Sequence, residues 1–208
     1  MIDVIAGLVS HRIASRLRGL RVLLALAVVY FGVPVVRVAQ AQEGPSLVVL
    51  VRHAEKAAQP ADDPSLTDHG RERATALALA MAHAPPSAIV VSSRKRTAET
   101  AVPTAMTFGI TPTVASLDGG AAAHIAAVVA AVRSQRGVVL VIGHSNTIPA
   151  VIKALGGPAL PDICDASYNL LFTLLLPKDG KPAQLVVSQY GAANETPATG
   201  APACAGMK

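Results

Sequence analysis

"LVVLVRHAEKA", residues 47–57, decides how the rest of the chain is read. Leu47 to Val51 form a continuous apolar run, the composition of a strand buried on both faces of a sheet. Arg52, His53 and Glu55 then follow with no turn residue between. A core strand that ends in a guanidinium and an imidazole carries reactive groups at its own tip. Two further runs repeat the arrangement: "AIVVSS" (88–93) leads into "RKR", and "VVLVIGH" (138–144) leads into "SN".

Strand-like and helix-like runs alternate along the chain. "NLLFTLLL" (169–176) and "AQLVVSQY" (183–190) also read as strands, separated only by "PKDGKP", which predicts a hairpin. In 67–83, Ala74, Leu77, Ala78 and Met81 share one helical face. In 121–134, Ile125, Val128, Val129 and Val132 have i, i+3, i+4, i+7 spacing. The segment 146–155 has Pro149 in its first turn and Gly156–Gly157 just past its end, both in the places where helices carry them. This alternation predicts an α/β fold: three layers, α/β/α, around a central mostly parallel sheet with an antiparallel hairpin at its edge.

The chain has 208 residues, 51% of them hydrophobic, enough for one domain with a real core. Its net charge of +5 is unevenly placed. Residues 1–41 carry five arginines against Asp3, whereas from residue 42 onward thirteen Lys and Arg face twelve Asp and Glu. With tryptophan absent as well, no nucleic-acid partner is expected. The first 41 residues have the order of a signal peptide: arginines up to Arg21, the apolar run "VLLALAVVYFGVPVV", then "AQA" at 39–41. A spanning helix needs about 20 apolar residues, so this run is short for one. Contact with a membrane is expected only if this segment stays uncleaved as an anchor. The expected plan is a signal peptide over 1–41, a domain over 42–191 and a loosely held tail over 192–208, in a bacterial periplasmic or secreted protein. Cys164 and Cys204, the only cysteines, are a candidate disulfide in such a compartment, with two separate thiols as the alternative.

In open α/β sheets, ligands bind beyond the carboxyl ends of the strands. There the sheet would gather Arg52, His53, Arg96 and His144, remote in sequence. Guanidinium forks match the oxygens of a phosphoryl group, and the amides of the helix after His144 add positive potential. A histidine among such cations is kept neutral, and its lone pair can attack phosphorus. Each string alone has a plainer reading: "SSRKR" as a solvated basic loop, or Ser145 and Asn146 of "GHSN" as helix caps. Three strand ends in the right order favour a site.

"VVLVRHAEK", "SLTDHGRERA" (65–74), "IVVSSRKRTAETA" (89–101) and "VVLVIGHSNTIPAVI" (138–152) together resemble the histidine phosphatase superfamily, also called phosphoglycerate mutase-like. The resemblance covers roughly residues 46–191, and the small bacterial members that the chain resembles include protein-phosphohistidine phosphatases. It implies a phosphomonoesterase with His53 as nucleophile and Arg52, Arg96 and His144 as phosphate ligands, Ser145 lying beside them. No cofactor and no metal are implied. The register of "RTAETA" assigns the motif's arginine to Arg96 rather than to Arg94. A carboxylate that protonates the leaving group is common in the family; here Glu55 and Asp118 are the candidates. Glu55 has a slight preference, because a continuing strand would put it on the face of His53, although an ion pair with an arginine is an equal alternative.

Partners are expected to be a small phosphorylated substrate or a phosphorylated envelope component. A mutase is disfavoured by the short stretch between "RTAETA" and "VVLVIGH". Two other readings compete: a metal-dependent hydrolase using His53, Glu55 and His144, and a non-catalytic phosphate-binding envelope protein. Tyr168 is expected to shape the core or a pocket wall, Asp68 and His69 to lie at a helix start, and His83 and His124 to be surface residues.

Overall fold

A computed structural model describes residues 47–177 and 181–194. The segment expected to be a signal peptide, most of the expected tail and Cys204 lie outside the described residues. Cys164, the other half of the candidate disulfide, is buried.

Six strands form one sheet: β1 (Leu47–Arg52), β2 (Ala88–Ser92), β3 (Thr113–Ala115), β4 (Val138–Gly143), β5 (Leu170–Leu175) and β6 (Gln184–Gln189). Their order is β3-β2-β4-β1-β5-β6. The first four run parallel, while β5 pairs antiparallel with β1 and with β6, so the hairpin does close one edge. The helices are α1 (Asp68–Ala80), α2 (Lys95–Phe108), α3 (Gly120–Arg133) and α4 (Thr147–Ala154).

Period-2 alternation along β1 divides its apolar residues between two cores. Val48 and Leu50 pack with Val128 and Val132 of α3 and with Ile148, Val151 and Ile152 of α4. Val49 and Val51 pack on the other face with Leu77 of α1, Met81 and Ala101 of α2. The three layers therefore follow from one continuous β-branched run being apolar on both sides.

Local chemistry sets the helix ends near the strand tips. Thr67 caps α1, its hydroxyl accepting from Gly70 N at 3.1 Å. At α4, Thr147 Oγ1 accepts from His144 N at 2.9 Å, while neither Ser145 nor Asn146 supplies a side-chain cap. Gly143 has no room for a side chain: a Cβ there would meet Ile148 Cδ1 at 2.8 Å and Thr147 Oγ1 at 2.9 Å. That close approach brings the start of α4 against the end of β4.

Candidate active site

Adjacent parallel strands place the two histidines side by side. Arg52 pairs with Gly143 across β1 and β4, and His53 N donates to Gly143 O at 2.9 Å. His144 follows Gly143 directly, so the imidazoles meet edge to face with centroids 5.4 Å apart. A cavity of about 550 Å³ opens there, lined by Arg52, His53, Arg96, His144 and Ser145. The structure thus brings together all the site residues expected from the sequence except Glu55.

His53 is almost fully buried, and its Nδ1 lies 2.8 Å from Ala54 O. A carbonyl only accepts, so Nδ1 carries the proton and Nε2 keeps its lone pair. Burial pushes the His53 pKa down to about 3, with Arg52, His144 and Arg96 adding repulsion and the bond to Ala54 opposing them. His144 is lowered to about 4, again first by burial and then by Arg96, His124, Arg94 and Arg52. Its Nε2 lies 2.9 Å from Ser92 Oγ and its Nδ1 3.4 Å from Arg96 Nη2. Since guanidinium only donates, Nδ1 accepts and Nε2–H donates to Ser92. Both rings are neutral over the ordinary pH range.

The arginines are held from behind. Arg52 Nη1 donates to the carbonyls of Cys164, Asp165 and Ser167, and the Tyr168 ring lies 4.2 Å beneath its guanidinium carbon. Tyr168, expected to shape the core or a pocket wall, supports Arg52 and does not itself line the cavity. Arg96 sits in the first turn of α2, with Asp63 at 3.9 Å; burial is the main cause that lowers its pKa. The buried Nε donors of Arg52 and Arg96 have no partner among the described residues. Unsatisfied buried donors on two cations mark a place short of negative charge.

Glu55 belongs to another construction. The strand ends at Arg52, so the alternation that would have aligned Glu55 with His53 does not continue. Its carboxylate receives Arg73 Nε at 2.8 and 3.0 Å and pairs with Arg73 Nη2 at 2.7 Å. It does not line the cavity. Asp118 is exposed and accepts from Ser116 Oγ at 2.9 Å, outside the cavity as well. The carboxylates that do line it are Asp162 and Asp165, on the segment after α4. Neither was singled out from the sequence, where "LPDICDASYN" shows no pattern that separates them from loop polarity. Lys56 and Arg94 line it too. His124, expected at the surface, is buried, with Nδ1 3.1 Å from Ser116 O. Its spacing of four from Val128 and eight from Val132, both buried, was the available signal. Among the described residues no cluster of three His, Cys, Asp or Glu could hold a metal ion, and no helix is long and apolar enough to cross a membrane.

Comparison with known proteins agrees with this geometry. The family model of the histidine phosphatase superfamily (branch 1) matches residues 48–118. No curated protein matches the sequence. Among solved structures, a protein histidine phosphatase SixA complexed with tungstate aligns with TM-score 0.54 and 18% identity, over 69% of this chain and 96% of that one. The candidate phosphohistidine phosphatase SixA from Agrobacterium tumefaciens gives 0.50 and 22%, over 72% and 99%. A mycobacterial glucosyl-3-phosphoglycerate phosphatase gives 0.51 and 19%, over 71% and 99%. At these identities the three alignments speak for the fold. The fold is the phosphoglycerate mutase-like one, and the family match over residues 48–118 together with the gathered arginines and histidines marks a resemblance to the histidine phosphatase superfamily.

Proposed function

We propose that the chain is a phosphomonoesterase that works through a covalent phosphohistidine on His53 without a metal ion. One observation carries the reading. The His53 Nδ1–H is held by Ala54 O, which leaves a neutral ring with its Nε2 lone pair in a cavity shared with Arg52, Arg96 and His144.

In the first step Nε2 attacks phosphorus: the P–N bond forms as the P–O bond to the leaving group breaks. The departing oxygen takes up a proton at the cavity mouth, where Asp162 and Asp165 stand with solvent. Water then attacks the phosphorus, the P–N bond breaks, inorganic phosphate leaves and Nε2 regains its lone pair. Arg52 and Arg96 supply the positive charge that the phosphoryl oxygens need in both steps. That charge is why the cycle needs no metal.

The basic, apolar, small-residue order of residues 1–41 supports an exported protein. A small phosphate ester or a phosphorylated envelope component suits that compartment. The fold relatives carry names for two different phosphoryl donors, a phosphohistidine protein and glucosyl-3-phosphoglycerate. The phosphoryl group is the chemistry common to them.

The test is turnover of simple phosphate esters under exhaustive chelation, followed by mass spectrometry after a neutral quench. A phosphoryl adduct on His53, absent in His53→Ala together with turnover, is the expected result. Turnover that persists in His53→Ala, or activity lost to chelator and restored by added metal, overturns the mechanism.

A further inference from the structure

The cavity holds more positive charge than one phosphoryl group uses. Arg52 and Arg96 flank the imidazoles, and each already has a carboxylate nearby, Asp165 at 3.5 Å and Asp63 at 3.9 Å. Lys56 and Arg94 line the same cavity, both exposed. Among the described residues, neither side chain has an ion pair or a hydrogen bond. Arg94 is close enough to Arg96 and His144 to add to the lowering of both. Like charges gathered without partners are unfavourable until an anion joins them.

Their positions are fixed by the backbone. Lys56 is bridged to Leu66, and Arg94 is the cap of α2 with its amide on Ser92 Oγ at 3.3 Å. The loop after β1 lies on the start of α2: Ala54 N donates to Thr100 Oγ1, Leu66 N to Glu99 Oε2 and Lys95 N to Asp63 Oδ1, all within 3.0 Å. Lys56 and Arg94 therefore stand on the α1–α2 side of the sheet. Asp162 and Asp165 follow α4, which packs on the opposite side. Lys56 and Arg94 thus reach the cavity from another direction than Asp162 and Asp165, the carboxylates that line it. Its volume of about 550 Å³ admits far more than a phosphoryl group.

We propose that Lys56 and Arg94 form a second anion subsite, so that the substrate is a phosphomonoester whose leaving group carries a further anion. A carboxylate and a second phosphoryl group share the chemistry that this subsite recognises. The proposal rests on the phosphohistidine reading for the first subsite.

Binding to the full chain separates the two. Calorimetry on His53→Ala compares phenyl phosphate with 4-carboxyphenyl phosphate and with 1,4-phenylene bisphosphate. Either second anion tightens binding by about tenfold over phenyl phosphate, the size expected for two exposed charge contacts. In the same background with Lys56→Ala and Arg94→Ala, that ratio falls to within about twofold of unity. With Lys56→Arg and Arg94→Lys it is retained. The carboxylate and bisphosphate arms show which anion is preferred. A ratio near one in His53→Ala itself, or one unchanged by the alanine pair, overturns the subsite. Failure to form a phosphoenzyme with phenyl phosphate overturns the phosphohistidine reading and leaves the binding ratio standing.

Discussion

His53 combines a buried ring, a proton anchored on Nδ1 and a pKa lowered to about 3. An ordinary histidine would lose its lone pair below about pH 6.5. Here the nucleophile stays unprotonated far below that, so the kcat/KM profile should show no acid limb near 6.5. Once the substrate's own second ionisation near pH 6 is factored out, activity of the free enzyme should hold down to about pH 4, which a pH–rate series checks. Glu55 makes the opposite prediction. Removing its charge leaves Arg73 buried with no counter-ion, which costs about 3 kcal/mol. Glu55→Gln should therefore lower the denaturation midpoint and leave the shape of the kcat/KM profile unchanged. The strand tips were legible because Arg52, His53 and His144 interrupt runs that burial demands be apolar. Arg73 was not, since its helix position says nothing of a partner 18 residues away, and the same loss of local pattern hid Asp162 and Asp165.

Helix α4 and strand β4 meet at Gly143, where a methyl group has no space. Gly143→Ala should push Thr147 and Ile148 away and shift His144 from His53. Overpacking of this kind costs about 1–3 kcal/mol, and turnover should fall further than the stability loss explains, as parallel melting and rate measurements would show. Apolar periodicity revealed α1 and α3, and Pro149 with Gly156–Gly157 revealed α4. Helices α3 and α4 lie within one residue of the expected ends, while α1 stops three residues early, where a 3-10 turn (Met81–His83) follows. Periodicity could not reveal α2, whose buried face is Thr97, Thr100, Ala101 and Thr104; only family resemblance pointed to that helix. Threonine fits there because each hydroxyl with a described bond finds a local acceptor, as Thr100 does on Arg96 O at 2.6 Å. Strand β3 escaped notice for another reason: it has three residues, two of them exposed, and so offers no pattern.

For the whole domain, the buried imidazoles couple folding to acidity. In the unfolded chain each binds a proton near pH 6.5, whereas the folded chain refuses it until about pH 3 for His53 and 4 for His144. The unfolded state therefore holds more protons across this window, and stability falls as pH falls from about 6.5 toward 4. Each ring contributes at most about 1.4 kcal/mol per pH unit. Denaturant titrations at several pH values should show a shallower decline for His53→Gln and His144→Gln than for the parent. The layered α/β plan itself was legible throughout, because continuous β-branched runs bury both sides of a sheet.

The last described residues have a reach that their place in the chain conceals. Asn194 Oδ1 receives Tyr168 N and Asn169 N at 2.8 and 3.1 Å, and Ala192 O receives Arg73 Nη1 at 2.9 Å. Tyr168 in turn supports Arg52, and Arg73 holds Glu55. The short segment beyond β6 is a latch on the reactive end of the molecule, fastened at two points. A fusion junction or proteolytic nick placed ahead of Ala192 would unfasten both, and the damage would surface as a misaligned guanidinium more than 100 positions upstream.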